Sequence, residues 1–357
     1  MDIQRFTVLD TYRYLAAAGI VLFHCQAAFQ VFLAHPAMPF VELNLFVDFF
    51  FILSGFVLMH TYGDRVRNQA DFVRFMQKRL ARIYPLHAAT TIAFIVMDVL
   101  IVVLHLNDDH RVGDDLALAP ATLLLVHAWG FTAHDGLNYP SWSISAELFV
   151  YLLFPLFAVI LRRIGGVRTL ALAVILAAVI VEVRAMANLR PMTDATYDFG
   201  NMRAVPTFLA GMAINVLVKD HPRPVPWWLA HLAGILVLVL MLAKAPTLAI
   251  VGIMPLVIWL IAHAEINAGP SRLSTPLFQK LGEASYGVYL IHALVLTVLA
   301  ALLKHLHHPS VLLLVVIAVG VLVVTTALAM ASYRWFENPL RIYLGTIARA
   351  RVATRPQ

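Results

Sequence analysis

Apolar residues run in long stretches along the 357-residue chain, separated by short polar breaks. A helix crossing a bilayer takes about 20 predominantly apolar residues. Stretches of roughly that length lie near 11–33, 43–62, 86–106, 141–161, 168–185, 202–218, 226–243, 246–263, 284–303 and 310–332. In lipid only helices and closed barrels satisfy every backbone polar group internally. The pattern therefore predicts an all-α fold, a polytopic transmembrane helical bundle of about ten spans. Residues 116–130 are apolar but short, so a re-entrant or interfacial segment is expected there rather than a span. No linker or repeat marks off a second domain. Residues 1–345 read as one transmembrane domain, and 346–357 as a basic cytoplasmic tail.

Composition agrees with the pattern. The chain is 61% hydrophobic and 13% charged, against roughly 45–50% and 25% in soluble domains. Its single cysteine, Cys25, excludes internal disulfides and cysteine metal clusters. The first apolar run has no small-residue cleavage site after it and reads as a permanent first span.

The net charge of +6 raises the question of nucleic acid. Its distribution answers differently. With the N-terminus inside, the inner loops and tail hold Arg65, Arg67, Arg74, Lys78, Arg79, Arg82, Arg162, Arg163, Arg168, Lys219, Arg223, Arg272, Lys280, Arg334, Arg341, Arg349, Arg351 and Arg355. The outer loops hold only Arg111, Arg184, Arg190, Arg203, Lys244 and Lys304, with the acidic cluster Asp108, Asp109, Asp114 and Asp115. That bias is the signature of positive-inside orientation. Both termini are expected in the cytoplasm, with membrane lipids rather than nucleic acid as surroundings.

Ionisable groups inside spans are costly and mark functional candidates. Arg13 and His24 lie eleven residues apart in the first span. At 3.6 residues per turn they fall roughly 20° out of phase, with a rise of about 16 Å between them. A cation near the inner mouth and an imidazole at mid-depth suit a cavity for a long anionic ligand. The competing readings are a snorkelling arginine and an interhelical hydrogen bond from the histidine. In the second span Ser54 and Gly55 suit interhelical bonding and close approach. Asp48 lies toward the outer side, where water could solvate it. Arg79 and Arg82, three apart, share a face if helical and suit phosphates, or simply orient the loop. The fourth span opens on Trp142 and Ser143 and carries Glu147, which is either functional or a buried partner for an arginine. Ser285, Tyr289 and His292 form one polar stripe in the ninth span, and Tyr286 reads as an interfacial aromatic. Arg334 and Glu337 could pair across a turn, with Pro339 ending the helix. His105, His110, His305, His307 and His308 fall at outer span ends or in loops. No metal site is expected, and Cys25 reads as a packed thiol.

Taken in order, these residues resemble the acyltransferase 3 family of bacterial inner-membrane acyltransferases. The resemblance rests on Arg13 and His24 with ten residues between them, and on the Phe-Phe-x-x-Ser-Gly-Phe run ending at Phe56. It continues in Arg-x-x-Arg-Ile-x-Pro from Arg79 to Pro85, Trp-Ser-x-x-x-Glu from Trp142, Ser-Tyr-x-x-Tyr-Leu-x-His from Ser285 to His292, and Glu337-x-Pro339. Leu86-His87 and Ile144 depart from the family's usual residues, at positions with no assigned chemistry.

The resemblance implies transfer of an acyl group, usually acetyl from acetyl-CoA as co-substrate, to a hydroxyl of a saccharide or lipid-linked glycan at the bacterial inner membrane. No permanently bound cofactor is implied. Arg13, Lys78, Arg79 and Arg82 would hold the acyl-CoA phosphates. His24 would act as general base or carry the acyl group, with Glu147 orienting it or the acceptor. Asp48, Ser54, Trp142, Ser143, Ser285, Tyr289, His292, Arg334 and Glu337 would line or brace the site. A glycan or lipid-intermediate exporter is the competing class, since intramembrane charges suit it too. The chain lacks the paired broken helices that often mark transporters.

Overall fold

The computed structural model describes residues 5–32, 40–104, 111–303 and 309–353. The described residues are helical with irregular connections. In chain order the helices are α1 (Thr7–Phe29), α2 (Phe46–Tyr62), α3 (Gln69–Val103), the short α4 (Arg111–Ala117) and α5 (Ala119–Leu123), α6 (Trp142–Met186), α7 (Gly200–Asp220), α8 (Trp227–Leu242), α9 (Thr247–Asn267), α10 (Pro276–Leu303), α11 (Val311–Ser332) and α12 (Asn338–Ala353).

Each stretch predicted to span falls on a helix, two of them on α6. Gly165 breaks α6 with a φ of 80°, a left-handed conformation that glycine adopts without steric cost. Seven helical stretches are long and apolar enough to cross a membrane; the 16-residue α8 is shorter, and α1, with its polar positions, is not among them. Broad apolar faces of α6, α8 and α11 are exposed, among them Val174, Ile175, Leu232, Ile235, Leu312 and Val316. In water that surface would cost roughly 25 cal/mol per Å²; lipid removes the cost. Residues 116–130 hold the end of α4, α5 and a turn through Leu125 at φ 58°. Neither short helix is long enough to cross.

Three expectations about boundaries change. First, the basic stretch before the third span is helical, and α3 runs through Pro85 without interruption. Arg79 and Arg82 therefore do share a helix face. Second, Pro339 does not end a helix. A π-helical segment, Tyr333–Glu337, absorbs the irregularity, and Pro339 sits in the first turn of α12, where no backbone N–H is needed. The tail expected from residue 346 begins inside α12. Third, Arg184 and Arg203, expected in outer loops, are buried at 3% and 2% exposure.

α7 sits between α2 and α6 and is almost wholly buried. A Cβ at Gly55 would run into the Phe208 carbonyl, and one at Gly211 into the Ile52 carbonyl. The two backbones thus approach as closely as small residues permit, the packing mode that replaces the hydrophobic drive in lipid. On the other side, α1 packs along α10.

The turns segregate to two ends. At one end Arg5 meets Glu283 at 3.0 Å, Thr7 meets Glu265 at 2.6 Å, and Arg162 donates to the Gly63 carbonyl at 2.9 Å. The start of α1 and the helix α12 both lie at this basic end. At the other end the loop before α6 meets the loop before α7, where the Gly130 N–H donates to Tyr197.

Candidate active site

α1 and α10 run side by side and place the predicted stripe against the predicted pair. Arg13 Nε donates to Ser285 Oγ at 2.8 Å, and its Nη2 donates to the Gly282 carbonyl at 2.7 Å. One end of the stripe is thus fixed to the guanidinium; Asp10 also pairs with Arg13 at 3.0 Å. In the middle, Tyr289 donates to the Pro140 carbonyl at 2.9 Å and meets Ser143 Oγ at 2.7 Å. At the far end His292 Nε2 lies 2.9 Å from His24 Nδ1.

The hydrogen bonds assign the tautomers. His292 Nδ1 faces the Val288 carbonyl at 3.3 Å. A carbonyl only accepts, so Nδ1 carries the proton in neutral His292. Its Nε2 then offers a lone pair and accepts from His24 Nδ1–H. That leaves His24 Nε2 as a lone pair without a proton. The His24 ring also stands edge-on to Tyr139, with centroids 5.0 Å apart.

Three cavities meet along this line. The widest, about 600 Å³, opens at the basic end and is lined by Arg5, Arg13, Lys78, Arg79, Arg82 and Arg341 against Asp10 and Glu283. A narrower one of about 140 Å³ shares Arg13, Arg79 and Arg82 with it and continues inward between Phe50, Ser54, Glu147, Tyr286 and Tyr289. An outer cavity of about 280 Å³ lies beyond Tyr289 and holds His24, Tyr139, Trp142, Asn44 and Asp135. Tyr289 lines both the narrow and the outer cavity, so it stands as the partition between them.

The cations of the wide cavity are unevenly paired. Arg5 is held by Asp10 and Glu283, each at 3.0 Å. Lys78, Arg79, Arg82 and Arg341 form no ion pair among the described residues. The Arg79 guanidinium lies over the Tyr151 ring at 5.2 Å, and its Nε is buried without a partner. Lys78 lies over Tyr62 and Arg82 over Tyr333, each at 5.9 Å. Aromatic faces hold these cations in place while leaving hydrogen-bond donors for an anion.

Several assignments move. Glu147 does not reach His24; it lines the narrow cavity and accepts from Ser54 Oγ at 2.6 Å. His292, not a carboxylate, orients the His24 ring. Asp48 is not solvated. It is fully buried and paired with Arg203, Nε to Oδ1 at 3.0 Å and Nη2 to Oδ2 at 2.5 Å. The same guanidinium lies 5.3 Å over Trp142. Tyr286 is no interfacial aromatic; it lines the narrow cavity and donates to the Ile83 carbonyl. Arg334 does not pair with Glu337. It is exposed beside Trp335, whereas Glu337 is buried and accepts from Ser332 at 3.1 Å. The π segment turns the two side chains apart. Cys25 is a buried packed thiol.

Sequence reasoning missed Arg5 and Arg341 in the wide cavity, and Asn44, Asp135, Tyr139 and Arg203 in the outer one. The last four come from outer connections or a helix end, where periodicity carries no signal. His105, His110, His305, His307 and His308 lie outside the described residues. Among the described residues no group of three or more His, Cys, Asp and Glu side chains could hold a metal.

Comparison with known proteins identifies the family. The family model of the acyltransferase 3 acyltransferase domain matches residues 6–334. The chain is 27% identical to Acyltransferase MdmB of Streptomyces mycarofaciens, over 99% of this chain and 96% of that protein. It is 37% identical to Protein 2 in picA locus of Rhizobium radiobacter, over 41% of this chain and 79% of that one. No solved structure matches it significantly. With a family match spanning nearly its whole length, the chain belongs to the acyltransferase 3 family of membrane acyltransferases.

Proposed function

We propose that the protein transfers an acyl group, most simply acetyl, from cytosolic acyl-CoA to a hydroxyl of a saccharide or other envelope acceptor in the bacterial inner membrane. On this reading there are ten crossings, both termini are cytoplasmic, and the basic end faces the cytosol. The observation that carries it is the wide arginine-lined cavity narrowing toward the partition beside His24. Charge-assisted bonds from guanidinium groups suit the nucleotide phosphates. The narrow passage between Phe50, Val57, Leu58 and Ile83 suits an uncharged arm ending in a thioester. No other bound group is needed.

The chemistry follows from the tautomer. His24 Nε2 accepts the acceptor hydroxyl's proton as the oxygen attacks the thioester carbonyl. The C–S bond breaks, and the thiolate leaves and is protonated as free CoA. The positive charge gained by His24 is shared through Nδ1–H with His292. Direct attack by His24 Nε2, giving a transient acyl-histidine, uses the same geometry. Tyr289 must swing aside for the thioester to reach His24. Glu147 and Ser54 act on the donor side, positioning Arg79 and the passage wall. An exporter would use the same cavities without thioester cleavage.

Incubating the purified protein with radiolabelled acetyl-CoA tests the reading: CoA release with label passing to a hydroxyl supports it, and no cleavage of any acyl-CoA overturns it. Arg79→Ala and Arg82→Ala should each weaken CoA binding about tenfold or more, because each removes charged hydrogen bonds to phosphate. Calorimetric titration checks this; unchanged affinity would relegate both to topology. His292→Ala should lower turnover by about 10²-fold while leaving CoA affinity alone, because the His24 tautomer is no longer fixed. Its pH–rate profile should also change shape, and His292→Gln should restore part of the rate. A purely structural role would move neither the profile nor the rescue.

A further inference from the structure

Among the described residues Tyr289 alone lines both the narrow cavity and the outer one. It lies on α10 one turn before His292, whose imidazole holds His24. Its ring stands edge-on to Phe50, with centroids 5.7 Å apart, and its centroid lies 6.1 Å from that of His292. A thioester moving along the narrow passage toward His24 therefore meets the Tyr289 side chain before it meets the imidazole.

Three other hydroxyls of the narrow cavity are committed. Ser54 donates to Glu147, Ser285 to the Gly282 carbonyl and Tyr286 to the Ile83 carbonyl. Tyr289 is placed differently. It donates to the Pro140 carbonyl at 2.9 Å, but that carbonyl has two further donors within reach, the Trp142 N–H and Ser143 Oγ at 3.2 Å. Ser143 Oγ also lies 2.7 Å from the Tyr289 oxygen. Each hydroxyl carries one proton. While Tyr289 donates to Pro140, Ser143 donates to Tyr289; when Tyr289 leaves, the Ser143 proton turns to Pro140. The phenol can thus give its O–H to another oxygen without stranding a buried carbonyl, which is what ordinarily makes such an exchange costly.

We propose that Tyr289 is a catalytic residue: its O–H, released from Pro140, binds the thioester carbonyl oxygen and the negative charge that grows there. This role rests on the acyl-transfer reading. The acceptor oxygen bonds to the carbonyl carbon and gives its proton to His24 Nε2. The π pair of the C=O bond moves onto its oxygen, which accepts from Tyr289. When the C=O bond re-forms, the C–S bond breaks and the sulfur takes the proton from His24. A positioned donor contributes most where charge develops in the transition state. The movement that opens the partition is also the one that delivers the donor, so the two cavities join as the oxyanion gains its partner.

Tyr289→Phe removes one oxygen and keeps the ring. In the full chain it should lower kcat by about 10²–10³-fold and leave calorimetric CoA affinity close to that of wild type. Ser143→Ala should lower kcat less, because the donor remains. Infrared spectra of carbonyl-labelled (carbon-13) acetyl-CoA supply a readout that a merely structural tyrosine would not move. The label is bound to His24→Ala protein, in which the thioester stays intact. Its carbonyl band should lie at lower frequency than in free acetyl-CoA, and adding Tyr289→Phe should return it. A Tyr289→Phe kcat near wild type, a loss confined to KM, a larger loss in Ser143→Ala, or an unshifted band in His24→Ala overturns the proposal. The last of these needs no change at Tyr289, so it holds even where that variant fails to fold. Wild-type cleavage with an undiminished Tyr289→Phe would end this role and leave the transferase reading standing. Wild-type protein that cleaves no acyl-CoA would end both.

Discussion

His24→Ala lowers acyl transfer by about 10²–10⁴-fold, the range removed with a positioned general base, and leaves CoA affinity unchanged. The two halves of this result come from different parts of the molecule. His24 lines the outer cavity, whereas the cations proposed to hold the donor phosphates line the wide one. A variant lacking the imidazole keeps every donor contact and loses only the proton acceptor. Retained folding is expected because the His24 ring's bonds, to His292 and to the Ile20 backbone of its own helix, both lie within the α1–α10 pair. Calorimetric binding of CoA beside thioester turnover measures both halves. Turnover within a few-fold of wild type would remove His24 from the chemistry. Lost CoA affinity would mean instead that the histidine contacts the donor.

Asp48→Ala is the substitution expected to cost most stability, about 3–5 kcal/mol, the usual result of stranding one member of a buried ion pair. Arg203 would keep a charge at 2% exposure, facing the Trp142 ring and the Asn44 carbonyl at 3.5 Å. The pair ties α2 to the start of α7, next to the close backbone contact at Gly55 and Gly211. Asp48→Asn should cost less, because an amide still accepts from the guanidinium. The double replacement Asp48→Leu with Arg203→Met should recover much of the loss, since it removes both charges together. Thermal unfolding of detergent-solubilised protein checks the series. Equal melting of Asp48→Ala and wild type would show the pair to be dispensable.

Much of this site can be read in the sequence where one helix carries the whole signal. Arg13 and His24 share a face because both lie on α1, and helical geometry alone places them in line. Ser285, Tyr289 and His292 share a face for the same reason. Periodicity does not say which helix faces which, so the partners Ser285 for Arg13 and His292 for His24 emerge only from packing. Glu147 shows the limit most clearly. The resemblance implies a place for it beside His24 or the acceptor, yet its helix turns it toward Ser54 and the narrow cavity. Asp48 and Arg203 lie 155 positions apart, and nothing local to either announces the other. The outer cavity is hardest to foresee. Asp135, Tyr139 and Asp194 sit in connections, whose course is set by tertiary hydrogen bonds such as that from Gly130 to Tyr197.

Boundaries failed for related reasons. Pro339 looks like a helix end, but it falls in the first turn of α12, which begins at Asn338, and α3 likewise runs through Pro85. A proline removes one backbone donor, and packing on both sides can make that tolerable.

The central claim is that a donor entering from the cytosolic, basic end reaches His24 deep in the membrane domain. Acetyl-CoA does not cross bilayers, so sided membrane vesicles test this directly. Vesicles prepared inside-out and right-side-out from cells producing the protein are given external acetyl-CoA, and release of free CoA is followed. The account predicts release by inside-out vesicles only, and none above background when His24 is replaced by alanine. Equal release by both orientations, or undiminished release by the His24→Ala vesicles, would contradict it.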